Sequence, residues 1–159
     1  MTTPTPSAQL AGFLAKFTPE IAALGRVVLS RLRKLVPPSV EMVYDNYNFL
    51  VVGFSPTERP SEAVLSIALY ARGIGLCFLE GARLPDPHGL LLGGGKQVRH
   101  VKLPTADVLD DPRVRALIAA AVKSAAVPYD GTTRRKLVIR SISAKQRPRR
   151  PSRAKSGKR

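Results

Sequence analysis

Cysteine is nearly missing from this chain, aromatic residues are scarce and tryptophan does not occur at all. The single cysteine, Cys77, can close no internal disulfide. With only two histidines, His88 and His100, a structural zinc cluster is out of reach as well. No apolar run nears the roughly 18 residues that a membrane-spanning helix needs, so an integral membrane protein is not expected. The opening Met1–Ser7 lacks both the charged start and apolar core of a secretory signal and the Arg-rich pattern of a transit peptide. Together with the lone cysteine, this makes a reducing, cytoplasmic location the expectation. Acidic residues are also few, 11 against 26 Lys and Arg, for a net charge of +15. What is present is ordinary for a folded protein: 44% hydrophobic residues in 159, about one domain's worth of chain.

The charge is not spread evenly. The last acidic residue is Asp130, and twelve Lys or Arg follow it from Arg134 to Arg159. Residues 1–133 carry only +3. The chain therefore reads as a nearly balanced domain over 8–130 and a basic tail over 131–159. Residues 144–159 offer almost nothing apolar to bury against the entropy of ordering, so the tail is expected to be largely disordered when free.

Within the domain, periodicity and punctuation read as helix, strands, helix. Thr18-Pro19-Glu20 is a helix start, and Ile21, Leu24, Val28, Leu32 and Leu35 follow at helical spacing until Pro37-Pro38. A shorter helix over about Ala8 to Lys16 precedes it. The period then shortens to two. Strands are expected over Val40–Asp45, Phe49–Phe54, Ala63–Tyr70, Ile74–Leu79 and Val98–Leu103, the second and third apolar enough to be buried on both faces. Leu84-Pro-Asp-Pro-His-Gly89 must be irregular. Asp110-Asp111 before Pro112 reads as the cap of a helix to about residue 126, striped by Val114, Leu117, Ile118, Ala121, Val122 and Ala125. Leu137-Val138-Ile139 makes a candidate short edge strand. These elements imply an α+β fold, an antiparallel sheet with the N- and C-terminal helices packed on one face.

Tyr44-Asp45-Asn46-Tyr47-Asn48 before an apolar strand, the run Leu84-Pro-Asp-Pro-His-Gly-Leu-Leu-Leu92, and Gly93-Gly-Gly-Lys-Gln-Val-Arg-His100 together resemble the YdhG-like domain. That is a bacterial domain of unknown function, grouped by structure with frataxin-like and YjbR-like folds. The resemblance spans about residues 10–126 and leaves the tail outside. It implies the α+β fold and little chemistry. One relative is described as a frataxin-like iron chaperone, a role that uses an acidic ridge along the first helix. Here residues 18–36 hold one acid, Glu20, against Arg26, Arg31, Arg33 and Lys34, the wrong sign for iron.

Each candidate site has a plainer reading beside it. Gly93-Gly94-Gly95-Lys96 fails as a Walker loop, because Leu90 stands where its first glycine belongs and Gln97 where its Ser or Thr belongs. It reads either as an anion-binding concavity or as a flexible turn. Arg99 shares strand parity with Val101 and Leu103, so it is expected to face inward and meet a carboxylate, Asp45 or Glu80. The alternative is an arginine lining a pocket for an acidic ligand. Asp45, Tyr47 and Asn48 read as a turn or as a pocket rim. Cys77 reads as a buried inert thiol, and no nucleophile–base pair or paired carboxylate for acid–base work can be ordered.

Two function classes follow. The first is a non-catalytic binding module whose tail attaches to nucleic acid or another polyanion without sequence preference. Arg134, Arg135, Lys136, Lys145, Arg147, Arg149, Arg150 and Arg153 are its contact residues. The tail has no aromatic residue, so base stacking is not expected from it. The second is a small-ligand or metal-handling domain built on a pocket joining Asp45, Tyr47, Asn48, Lys96 and Arg99. Neither class calls for a cofactor.

Overall fold

The computed structural model describes residues 3–152. The three α-helices among the described residues open with the same local device. In α1 (Pro6–Leu14) Thr5 accepts a hydrogen bond from the Ala8 amide, and in α2 (Pro19–Leu35) Thr18 accepts one from the Ile21 amide. In α3 (Pro112–Lys123) Asp111 accepts from the Arg113 amide at 2.9 Å. Proline follows each cap, where a missing N–H costs nothing. The α1 cap lies ahead of the expected start at Ala8. The last helix ends at Lys123, short of residue 126, because Ser124 leaves helical backbone angles (φ −95°, ψ 12°).

The strands are β1 (Val40–Asp45), β2 (Leu50–Ser55), β3 (Leu65–Tyr70), β4 (Gly73–Phe78), β5 (Arg99–Lys102) and β6 (Lys136–Ile142), in the spatial order β5-β4-β3-β2-β1-β6. The first five form an antiparallel meander. The sixth lies parallel to β1, so the sheet is mixed where an antiparallel one was expected. The cause is the connection. A hairpin reverses the chain, whereas α3 carries it from the β5 edge to the opposite edge and returns it in the same direction.

Register sorts the two faces. Ile139, Val43, Val52, Ile67, Leu76 and Val101 form one row across all six strands. This face joins Val28, Leu29 and Leu32 of α2 and Val114, Leu117, Ile118 and Ala121 of α3 in a single core. Both helices thus pack on one side, as an α+β fold requires. Gly25 lets α2 settle close to the sheet, since a Cβ there would lie 2.9 Å from a Leu69 methyl. The other face carries Met42, Gly53, Ser66, Cys77 and His100 in one row and Tyr44, Val51, Ala68, Gly75 and Lys102 in the next. Met42, Gly53 and Ser66 are buried, whereas the β3–β5 side, floored by Ala68, Gly75, Cys77 and His100, is hollow.

Gly81 fixes the β5 edge. It opens a short 3-10 turn, and a Cβ there would meet the Arg99 Cβ at 2.6 Å and the Arg99 amide nitrogen at 2.8 Å. Backbone cannot give way as a side-chain tip can. Gly81→Ala is expected to lower stability by about 1–3 kcal/mol, the usual cost of overpacking. A urea melt superimposable on the parent's would refute that packing.

Part of the segment expected to be disordered belongs to the domain. Residues 136–142 form β6, with Leu137 and Ile139 packed against the core, and residues 143–152 run on across the β1–β2 turn. The boundary drawn at residue 130 moves accordingly; residues 153–159, including Arg153, lie outside the described residues. Among the described residues no helix is long and apolar enough to cross a membrane.

Candidate functional site

Asp45 is the most deeply buried charge in the structure, with no exposed surface. It ends β1 on the helix-covered face, where Leu50 is its cross-strand neighbour. Lys16, just past α1, reaches its Oδ2 at 2.7 Å, and Arg149 reaches its Oδ1 at 2.9 Å. The same Arg149 nitrogen donates to the Asn46 carbonyl at 2.6 Å. Gln146 and the Ser143 amide both donate to the Asp45 backbone carbonyl. Burial pushes the Asp45 carboxyl up, but hydrogen bonds from Lys16, Gln146 and Arg149 and the charge of Lys16 outweigh it. The net result is a pKa below the ordinary value.

Arg149 is only 5% exposed, its guanidinium lies 5.7 Å from the Phe17 ring, and its Nε and Nη1 have no hydrogen-bond partner. One carboxylate therefore serves two cations. This cluster pins residues 143–150 to the domain, helped by Arg150 donating to the Ala15 and Lys16 carbonyls.

The pinned segment forms one wall of a groove on the hollow sheet face. The groove has a volume of about 950 Å³. Ala68, Gly75, Cys77 and His100 lie along its floor, as register requires. Tyr47, Phe49 and Tyr70 stand at the strand ends, 50%, 41% and 41% exposed, with the Phe49 and Tyr70 rings edge to face at 6.2 Å. Arg72, Arg147 and Arg150 also line it, and among the described residues no acidic one does. Arg147 packs its guanidinium 5.9 Å from the Tyr47 ring while its amide donates to the Tyr47 carbonyl. Burial raises the Cys77 thiol above its ordinary pKa, against a weaker hydrogen bond from Ser66, so a reactive thiolate is not favoured. The cysteine is half-buried rather than buried as expected.

The pocket expected to join Asp45, Tyr47, Asn48, Lys96 and Arg99 is not assembled. Tyr47 and Asn48 line the groove, Asp45 is sealed under Lys16 and Arg149, and Lys96 is exposed in the glycine loop. Arg99 sits on β5, four strand intervals from Asp45, about 19 Å at the usual spacing. It meets no carboxylate. Its Nη1 donates to the Gly95 and Val98 carbonyls, and Glu80 instead lies near Arg83 and Gln97. Strand parity placed Arg99 on the core side correctly, but β5 is an edge strand, so its row ends at solvent instead of a partner.

Three of the expected nucleic-acid contacts are engaged within the domain. Arg149 is buried on Asp45, Arg135 pairs with buried Glu41 beside Arg33, and Lys136 pairs with Glu58. Arg134, Arg140, Lys145 and Arg147 are exposed and pair with no carboxylate among the described residues. Sequence reasoning missed Phe49, Tyr70, Arg72 and Lys16. Strand parity was the available signal for the aromatics: Phe49 and Tyr70 are out of step with core residues Leu50 and Leu69. Among the described residues no group of His, Cys, Asp and Glu is arranged to hold a metal ion. Comparison with family models, with curated proteins and with solved structures gave no match.

Proposed function

We propose that this chain is a non-catalytic binding module, a YdhG-like domain that takes nucleic acid or another polyanion on its C-terminal basic segment. The observation that carries the reading is the run of exposed, carboxylate-free cations Arg134, Arg140, Lys145 and Arg147 in a segment held on a rigid scaffold by Asp45. Arg150, exposed though bonded to two carbonyls, adds a further cation to the same segment. The reading differs from a free charged tail in one physical respect. The cations that pair with Glu41, Glu58 and Asp45 are engaged already, so fewer phosphates are neutralised than the net charge of the segment suggests.

Salt dependence tests this directly. Each phosphate contact on duplex DNA contributes a slope of about −0.9 in log K against log salt. Replacing Arg134, Arg140, Lys145 and Arg147 with glutamine together is expected to flatten the slope by about 3 to 4. Thermal stability should hold, because exposed positions away from the buried pair shift stability by about 0.5 kcal/mol or less. No binding at low salt, or an unchanged slope in the quadruple variant, would reject the reading.

A further inference from the structure

We infer that the groove on the hollow sheet face is a site for single-stranded nucleic acid, with bases stacked on its aromatic rings and phosphates held by its arginines. This rests on the proposed polyanion reading and specifies its partner. Three observations converge on one concavity. Its walls carry exposed rings, Tyr47, Phe49 and Tyr70, in a chain with only nine aromatic residues. Its rim carries Arg72, Arg147 and Arg150, and its floor His100, without one acidic residue among those described. The floor is kept low by Ala68 and Gly75.

The last point is informative because packing does not demand it. A Cβ at Gly75 would meet nothing nearer than the Val101 carbonyl at 4.0 Å, and glycine inside a strand weakens it. The glycine leaves room above the sheet instead. Exposed rings beside arginines on an open sheet face suit unstacked bases, which offer π-faces, and phosphates, which need cations. A duplex keeps its bases stacked and out of reach of such rings. Charge alone would favour the duplex, whose phosphates are denser, so a preference for single strands isolates the contribution of the groove.

The test uses the full chain and fluorescence anisotropy with an oligothymidylate of about 10 nucleotides, a duplex of equal length, and thymidine monophosphate. The oligothymidylate is expected to bind more tightly than the duplex at equal salt. Tyr70→Ala is expected to weaken oligothymidylate binding by about 5- to 160-fold, the loss of one stacked base, and to leave duplex binding unchanged. Gly75→Ile fills the floor with a good strand former. It should weaken single-strand binding while the melting temperature stays level or rises, which separates blocking from unfolding. Tyr70→Trp adds the only tryptophan, and its emission should be quenched by oligothymidylate. Equal affinity for duplex with a neutral Tyr70→Ala would overturn the groove assignment and leave the polyanion reading standing. Binding to none of the three probes would overturn both. Thymidine monophosphate binding as tightly as the oligomer would overturn the strand assignment in favour of a free nucleotide.

Discussion

Ending the chain at Thr133 is expected to abolish cooperative folding at 25 °C, although the residues removed are those whose composition looks most dispensable. The truncation deletes β6 and bares the full edge of β1. Leu137 and Ile139 leave the core, a loss of about 1 kcal/mol or more each for half-buried side chains. Arg149 leaves Asp45, and breaking a buried pair by removing one partner costs about 3–5 kcal/mol. Glu41, 1% exposed, loses Arg135 and keeps only Arg33. Together these are comparable with the whole stability of a typical domain, about 5–15 kcal/mol. A chain ending at Ile142 keeps β6 and loses only the pinned segment, so it should fold with reduced stability. Circular dichroism melts and urea titrations of the two truncations against the parent decide the matter. A Thr133 truncation as stable as the full chain would show that β6 is an accessory to the fold.

Arg149→Ala is expected to be the most damaging single substitution, at about 3–5 kcal/mol. It leaves the Asp45 carboxylate buried with Lys16 as its only charged partner. Arg149→Met keeps much of the side-chain volume over Phe17 and separates lost charge from lost packing. Asp45→Asn should approach the same cost from the other side, since it leaves a buried guanidinium uncompensated. The pH dependence follows from the direction of the Asp45 shift. Its carboxyl titrates lower in the folded chain than in the unfolded one, where about 3.9 is usual. The fold therefore binds fewer protons, and the contribution of Asp45 is complete above about pH 4 and lost as pH falls through the depressed folded value. The stability difference between the parent and Asp45→Asn should be constant from neutral to mildly acidic pH and shrink below about pH 4. Parallel stability curves down to about pH 2 would reject the ion pair as its source.

The helices show how far local chemistry carries. Thr18-Pro19 and Asp111-Pro112 mark their starts because a cap bonds an amide only two or three residues away. Strand positions were legible for the same reason: alternation is a property of neighbours. The hairpin turn at Asn46–Phe49 likewise closes on itself, with the Asn46 amide donating to the Phe49 carbonyl. The groove was half legible. Tyr47 and Asn48 stood out as polar and aromatic groups at a strand junction, but Phe49 and Tyr70 read as strand interior, because apolar character alone does not say which face a residue serves.

From the sequence by itself came the α+β class, the starts of two helices, the positions of the first five strands and the concentration of charge after Asp130. Each rests on spacing or composition within a few residues. Tertiary structure alone decided that Arg149 is a buried partner of Asp45 across 104 residues, and that β6 runs parallel to β1 at the far edge of the sheet. It also decided that the basic segment shares a groove with aromatics from two hairpins. An arginine has the same formula in a solvated tail and in a buried ion pair. Only the chain path, which brings a desolvated carboxylate to meet it, distinguishes the two.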